Sequence, residues 1–513
     1  MVHIAPSNVF PRNHQMTAWN YDHTRFEAEV YELEVTGQVP EDLHGAFYRV
    51  QPDHAFPPIF GEDEIPLNGD GNICCFYFKD GHVDFKNRYV RTPKFLAERA
   101  ARRALFGRYR NKYTDDPRVR DVLTRTTANT HVIYHAEKIM ALKEDAPPFE
   151  IDATTLETVG MIDYHGTFRC PTHTAHPKAD AATGELVAFG YEAKGEASPD
   201  ICSFTVDKKG FVSEEVWFKA PWACMIHDFW LTDNYVVFPI NPLKSSLEQM
   251  VKGGEHFYWD ENEDHQFLGV VPRRQAKPED VRWFKAFKGC FSHTINAYEE
   301  DGKIVLDASV WTDSVFPFFP NSKGEKYFYD PSTVWAPVLR FRVDPNGDTE
   351  DKVHPEKVVA EGVYEFGRVD DRLIGKKYDR YWMLTIDTTK PPLSHNGAVQ
   401  PGFNTLVCHN FATGKTQSYS HGDDVTFQEP CFVPRSENAP PEDGYIVILA
   451  DMYQEQRSHL LLFEAQKIDQ GPIADIKLPF KLLDGLHGSW VDGRDVDLAT
   501  QAKTPTNGFG CAL

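Results

Sequence analysis

EDGKIVLDASVW, residues 300–311, opens on an Asp-Gly pair and runs into β-branched and aromatic residues. Asp-Gly takes the positive-φ conformations of a tight turn at little cost, and Ile, Val and Trp suit a pleated backbone, so the stretch reads as a hairpin turn followed by a strand. The pattern recurs on both sides: VDFKNRYV at 83–90 behind KDGHV from 79, YVVFPI at 235–240, VLRFRVD at 338–344, YWMLTID at 381–387 and YIVILAD at 445–451, with ATGK at 412–415 as a further turn. Strands follow turns without intervening long helices, which predicts an all-β meander and not a βαβ sheet. The best helical pattern is PKFLAERAARRALFG at 93–107, with Pro93 at its start, Ala97, Ala101 and Leu105 on one face, and Gly107 as a stop signal. It is expected as an insert over one end of the sheets.

No Pro/Ser-rich linker or low-complexity run divides the chain, so residues 1–513 are read as one domain. Roughly 480 residues of strands averaging about 5 to 6 residues exceed what one sandwich holds, which favours a β-propeller. No clean repeat of about 40 residues of the WD type is visible.

The excess of 76 Asp+Glu over 54 Lys+Arg, a formal charge of -22, argues against a nucleic-acid surface, because phosphate binding needs clustered cations. The amino-terminal MVHIAPSNVFPRNHQ lacks a signal-type apolar core, and no stretch of about 18 apolar residues occurs, so a soluble, cytoplasmic protein is expected. Nine cysteines with no C-x-x-C pair argue against a disulfide framework and a zinc-thiolate site, and Cys511 stands one position short of a prenylation box. The segment 93–112 is basic inside an acidic protein, with Lys94, Arg99, Arg102, Arg103, Arg108, Arg110 and Lys112. It is read as a solvated helix face in preference to a membrane contact.

Among 21 histidines, a few have contexts that stand out. His227 lies in PWACMIHDFWLTDNYVVF, where a polar ring needs a partner; His293 lies in KGCFSHTINAYEE inside a strand pattern; His487 lies between glycines in LLDGLHGSWVD. In PTHTAHPKAD at 171–180, His173 and His176 are three residues apart. An extended chain sends such residues to opposite faces, so at most one reaches a given centre. His176, His227, His293 and His487 are separated by 51, 66 and 194 residues. With about 70 residues per blade, these are close to one, one and three blade steps, and the four rings could converge on a propeller axis. Four neutral histidines without thiolate or carboxylate ligands suit Fe(II), with zinc or copper as chemical alternatives. Glu144, Glu365 and Glu429 are candidate outer acceptors for the ligand rings, against the plainer alternative of surface or strand-end carboxylates.

Together these residues resemble the carotenoid cleavage oxygenase superfamily, and within it the stilbene-cleaving, lignostilbene dioxygenase-like branch. The resemblance runs from LEVTGQVPEDLHGAFYRVQPD at 33–53 to LHGSWVD at 486–492, through LNGDGNI at 67–73, TANTHV at 127–132, ALKEDAP at 141–147, TAHPKAD at 174–180, CMIHDFWLT at 224–232, FSHTINAYEE at 291–300, FPFFP at 316–320 and QEPCFVPR at 428–435. It implies a seven-bladed β-propeller with a dome of loops and helices over one end. It also implies an axial Fe(II) held by His176, His227, His293 and His487, with Glu144, Glu365 and Glu429 behind them. Tyr109 and Lys143 match residues that hold a substrate 4-hydroxyl group, Thr130 one whose methyl crowds an open coordination position, and Phe316 a pocket-lining aromatic. Leu67 departs from the pattern, standing where stilbene-cleaving relatives carry a bulky aromatic.

The resemblance implies O2-dependent cleavage of an exocyclic or interphenyl C=C bond on a 4-hydroxyphenyl alkene, a hydroxystilbene such as resveratrol or lignostilbene, giving aldehydes. The same chemistry on smaller alkenyl phenols such as 4-vinylguaiacol or isoeugenol, or on an apocarotenoid, is the nearest alternative. A propeller that only binds a partner and a zinc hydrolase are the alternatives of other classes. His173 is expected on the face away from the metal, in a structural or solvent-facing role.

Overall fold

The computed structural model describes Phe10 and residues 23–122, 124–316, 318–326, 335–358, 362–391, 393–395, 398–400 and 402–501. Most of the amino-terminal stretch read above, and Cys511, lie outside the described residues.

Asp301 and Gly302 both have positive φ, 51° and 73°, and turn Cys290–Glu300 into Lys303–Trp311 as the Asp-Gly pair requires. The other strand patterns fold likewise: His82–Tyr89, Tyr235–Ile240, Val338–Val343, Arg380–Thr385 and Gly444–Met452 are all strands. They belong to seven antiparallel sheets of four to six strands, arranged as a seven-bladed β-propeller.

From the axis outwards, blade 2 runs from His131–His135 to Thr158–Met161, and blade 3 from Lys178–Asp180 to Val212–Lys219. Blade 4 runs from Trp230–Leu231 to Arg282–Phe287, blade 5 from Cys290–Glu300 to Glu356–Lys357, and blade 6 from Tyr364–Arg368 to Lys415–Tyr419. The two remaining blades borrow strands across the chain. Blade 1, built on Gly45–Asp53, Asp70–Lys79 and His82–Tyr89, takes its innermost strand, Gly488–Asp492, from the far end of the sequence. Blade 7, built on Gly444–Met452, Arg457–Glu464 and Ala474–Lys477, takes its outermost strand, Glu34–Gly37, from the near end. Both exchanges pair the two ends of the chain into the ring and leave no blade short of a strand.

Apolar clusters fill the spaces between successive blades. Phe47, Phe76 and Phe85 of blade 1 pack on Val447, Leu460 and Leu462 of blade 7, and Trp382 of blade 6 stacks on Phe432 of blade 7 at 5.1 Å between ring centres. Each such fully buried side chain contributes about 1.5–3 kcal/mol. One buried charge ties three blades: Asp307 accepts from Arg340 Nε and Nη2 at 2.8 Å each and from Tyr378 Oη at 2.7 Å, while its carbonyl accepts from Trp230 Nε1 at 3.0 Å. Asp307→Ala leaves the Arg340 guanidinium unpaired. The expected cost is about 3 kcal/mol, read by urea denaturation, with the metal centre unaffected.

Antiparallel alternation fixes where the inserts go. Since each inner strand starts at one end of the ring, the segment after each second strand returns to that end. Residues 54–69, 143–148, 192–199, 241–264, 312–337 and 386–404 follow second strands. Among the described residues of these inserts are two short ribbons, Leu243–Ser245 with Phe257–Trp259 and Leu393–His395 with Ala398–Gln400. Ile65, Tyr109, Met225, Phe257, Trp259 and Phe319 join in one apolar cluster and form the dome.

The predicted helix is shorter than its pattern. Thr92 caps it through Oγ1, which accepts from Phe95 N at 3.2 Å, and it spans Pro93–Ala101. Arg102 then takes a left-handed φ of 56°, and Glu98 Oε1 accepts from Leu105 N and Phe106 N at 2.8 and 3.0 Å. Those donors are satisfied by a side chain, so the helix stops well before Gly107. Ala97, Ala101 and Leu105 do pack together. The basic segment is not a uniformly solvated face: Lys94 is buried between Asp70 and Glu98 at 2.8 Å each, and Arg110 is buried against Glu192. No helix among the described residues is long and apolar enough to cross a membrane.

Candidate metal centre

The entrances of the inner strands meet at the dome end of the axis, and every blade sends a residue there. His176 precedes the inner strand of blade 3, His227 that of blade 4, His487 that of blade 1, and His293 lies within that of blade 5. The pairing of Cys290–Glu300 with Lys303–Trp311 shifts register between Phe291 and Thr294, a bulge that re-aims His293 out of the ladder. Blade 6 supplies Glu365, also beside a register shift, and blade 7 supplies Glu429 from the break between Val425–Phe427 and Cys431–Pro434. Blade 2 supplies Thr130 and His131 at its inner strand and Glu144 after its second.

One ring nitrogen of each of the four histidines lies within 4.8 Å of the others. The Nε2 atoms of His176 and His227 are 3.2 Å apart, those of His227 and His293 3.0 Å, and those of His293 and His487 3.2 Å. The carboxylates pair one to one with rings: Glu144 with His227, Glu365 with His293 at 2.6 Å, and Glu429 with His487 at 2.9 Å, each through Nδ1. A proton held on Nδ1 leaves Nε2 as a bare lone pair. At least three lone pairs therefore converge at hydrogen-bond distance with no proton between them, which repels unless a cation lies among them. Nitrogens about 2.1 Å from one ion are about 3.0 Å apart at right angles and about 3.4 Å apart at tetrahedral angles. The observed spacings, 3.0–3.2 Å, fall within this range, close enough for the nitrogens to share one ion. The residues present thus suit a metal ion.

Burial, reinforced by the neighbouring rings, holds His176 and His487 well below the ordinary imidazole range, so neither ring takes up a second proton at neutral pH. For His293 burial acts downward too, but the Glu365 carboxylate on its Nδ1 and the more distant Asp228 and Glu429 raise it overall. Burial would raise Glu365; His293, Ser292 and Trp311 hold it below the usual carboxylate range. No carboxylate pairs with His176 among the described residues.

His173 lies apart from the centre. Fully buried, it bonds Tyr164 Oη through Nε2 at 2.9 Å and Thr174 O through Nδ1 at 2.7 Å, so of the two roles expected for it the structural one applies. Residues 171–176 are irregular rather than a strand, so the separation of the two rings comes from local bonding and not from pleat alternation.

A cavity of about 230 Å³ has His227, His293 and His487 on one side, its wall also including Leu67, Tyr109, Thr130, Phe316, Phe366 and Phe403. Phe316 meets His227 edge-on at 5.7 Å, and Phe366 stacks on His293 at 5.2 Å. Phe366 has φ of 58°, a strained value for a bulky residue, kept by the bond from its N–H to Glu365 Oε2 at 2.9 Å. The Thr130 hydroxyl donates to Asn129 Oδ1 at 3.2 Å. Lys143 is brought against Tyr109 but not onto the cavity wall: its ammonium lies 4.8 Å from the Tyr109 ring centre and 3.4 Å from Asp145. Burial lowers Lys143 from the ordinary lysine range and raises the Tyr109 phenol.

Two sets of residues escaped the sequence reading. His131 is a fifth axial histidine, 5.6 Å from the His176 ring and 5.5 Å from the His487 ring. Its nitrogens are committed to Ala175 O at 2.8 Å and Ser489 Oγ at 3.1 Å, and burial takes it down to about 3. The other set, Arg110, Tyr191, Glu192 and His256, backs Glu144 from below; only the cost of burying such charges could have flagged it, and burial is not visible in sequence.

Comparisons with known proteins agree with this architecture. The family model described as RPE65: Retinal pigment epithelial membrane protein matches residues 21–492. Resveratrol cleavage oxygenase 1 of Aspergillus fumigatus is 42% identical over 93% of this chain and 95% of its own length. Isoeugenol monooxygenase of Pseudomonas nitroreducens is 39% identical over 91% of this chain and 96% of its own. The crystal structure of lignostilbene dioxygenase from Pseudomonas brassicacearum superposes with a TM-score of 0.90 at 42% identity, covering 95% of this chain and 100% of that one. With the propeller, the four-histidine axis and these matches over nearly its whole length, the chain belongs to the RPE65/carotenoid oxygenase family.

Proposed function

We propose that this protein is a non-haem Fe(II) oxygenase that cleaves the C=C bond between the rings of a 4-hydroxystilbene with O2, giving two aldehydes. The observation that carries the reading is the convergence of buried imidazole lone pairs on one side of an apolar cavity whose wall also bears the Tyr109 phenol. When bound, Fe(II) would let triplet dioxygen react with a closed-shell alkene, a spin-forbidden step without it. His176, His227, His293 and His487 would hold it, a donor set of neutral nitrogens that suits Fe(II) better than a harder cation.

The remaining work falls to the chain. Glu144, Glu365 and Glu429 fix the ring orientations, and the apolar wall of Phe316, Phe366 and Phe403 excludes water and positions the aromatic rings of the substrate. Tyr109 donates to the substrate 4-hydroxyl oxygen, stabilising the negative charge that gathers there as electron density moves towards the alkene. Lys143, behind the Tyr109 ring, adds a positive charge to the same end of the cavity. Thr130, on the same wall, would narrow the space left for dioxygen beside the ion.

Stilbene cleavage is favoured by the relatives named for resveratrol and lignostilbene. A second reading, cleavage of a smaller alkenyl phenol to a vanillin-type aldehyde, is favoured by the isoeugenol monooxygenase match and by Leu67 on the wall in place of a bulky aromatic. Aerobic incubation of the iron-loaded protein with resveratrol, isoeugenol and an apocarotenoid, with products identified by mass spectrometry, separates these. Resveratrol should give 4-hydroxybenzaldehyde and 3,5-dihydroxybenzaldehyde. No aldehyde from either phenolic alkene would refute both readings.

A further inference from the structure

The three carboxylates behind the histidines are not held alike. Glu365 accepts from neutral donors: Ser292 Oγ, Trp311 Nε1 at 2.6 Å and Phe366 N at 2.9 Å. Glu429 accepts from Gly488 N at 3.1 Å and has Arg368 at 3.4 Å. Glu144 is different. Its Oε1 takes the His227 Nδ1 proton, while its Oε2 accepts from Tyr191 Oη, and that phenol oxygen in turn accepts from Arg110 Nη1. Arg110 Nη2 then donates to Glu192 Oε2 at 2.8 Å, and His256 Nε2 lies 2.8 Å from the same oxygen.

The whole line, His227, Glu144, Tyr191, Arg110, Glu192 and His256, is buried or nearly so, and no member of it contacts bulk water enough to act as a surface pair. Burial alone would raise Glu192, yet His256 and Arg110 hold its carboxyl down at about 2, so it remains an anion that anchors Arg110. Arg110 and Glu192 both have left-handed backbones, φ of 53° and 48°, a conformation that persists in such residues only where surrounding contacts hold it. Chain order adds a second constraint. Tyr109 on the cavity wall is followed by Arg110, and Lys143 beside Tyr109 is followed by Glu144, so two adjacent pairs face the phenol end with one member and the metal cage with the other.

We propose that Tyr191 and Arg110 are positioning residues that lock the Glu144 carboxylate, and through it the orientation of His227 at the metal centre. The proposal rests on His227 being a metal ligand. Outer partners of ligand rings typically set about 10–100-fold in metal affinity, and Tyr191→Phe removes one hydroxyl from this line without changing the shape of the buried ring.

The test is chelator competition for Fe(II), and separately for Co(II), on the full-length protein. Wild type, Tyr191→Phe, Arg110→Lys and the control Tyr378→Phe are compared; the control also loses a buried phenol hydrogen bond, but to Asp307. Tyr191→Phe and Arg110→Lys should each bind both metals about tenfold more weakly. Their cobalt absorption bands should shift, and the metal-free proteins should unfold no more readily than metal-free Tyr378→Phe does. Wild-type affinity in Tyr191→Phe would overturn the proposal. So would an equal loss in Tyr378→Phe, which would mark a general effect of removing a buried hydroxyl. If wild type itself bound neither metal, the proposed function would fall first and the positioning role with it, an outcome distinct from an unchanged variant of a metal-binding protein.

Discussion

His293→Ala is expected to purify with little or no iron and to lose essentially all alkene cleavage, a drop of more than about 100-fold in both metal affinity and turnover. Loss of an outer partner alone costs about 10–100-fold, and His293 is nearer the centre than any such partner. Its Nε2 lies 3.0 Å from that of His227 and 3.2 Å from that of His487, so it bridges two of the three close contacts in the cage. Alanine also deprives Glu365, which is buried, of the Nδ1–H that donates to it, leaving only Ser292, Trp311 and the Phe366 amide as donors to that carboxylate. Elemental analysis of protein purified with added Fe(II) checks the first half and aldehyde production the second. Undiminished iron in the variant would contradict the ligand set.

Tyr109→Phe should separate binding of the metal from handling of the substrate. Iron content should match wild type, because Tyr109 touches none of the four histidines or the three carboxylates by a described hydrogen bond. Turnover should fall about 100-fold, the size of effect produced when one donor to a developing oxyanion is removed from a dry site. Losses should appear chiefly in kcat, since the charge on the phenol oxygen grows as the alkene reacts. Lys143→Met should cost less, because the ammonium stands behind the Tyr109 ring and not on the cavity wall. Turnover within threefold of wild type for Tyr109→Phe would remove phenol activation from the mechanism while leaving the metal chemistry untouched.

Much of this was legible in the chain. Asp301-Gly302 dictates a turn by its backbone alone, and the β-branched run after it can only be a strand, so local chemistry sufficed for the blades. The spacing of His176, His227, His293 and His487 matched blade steps because each sits at or near the entrance of an inner strand, a position that recurs once per blade. Other features needed the fold. Which glutamate serves which ring depends on which blades are neighbours, as when Glu429 of blade 7 meets His487 at the start of blade 1. His131 stands at the same inner-strand position as the ligand candidates and differs only in having both nitrogens engaged elsewhere. The helix pattern at 93–107 overran because nothing local reveals that Glu98 will capture the amides of Leu105 and Phe106. The line from Glu144 to His256 joins residues 47 to 82 positions apart, with no periodicity to betray it.

The strand that completes blade 1 begins one residue after His487. A growing polypeptide that has reached blade 7 already owns three of the four imidazoles, but the fourth arrives only as Gly488–Asp492 docks against Gly45–Asp53. Closing the ring and finishing the cage are therefore one event. A chain truncated before Leu486 would possess most of its blades yet have neither a shut circle nor a complete set of ring nitrogens.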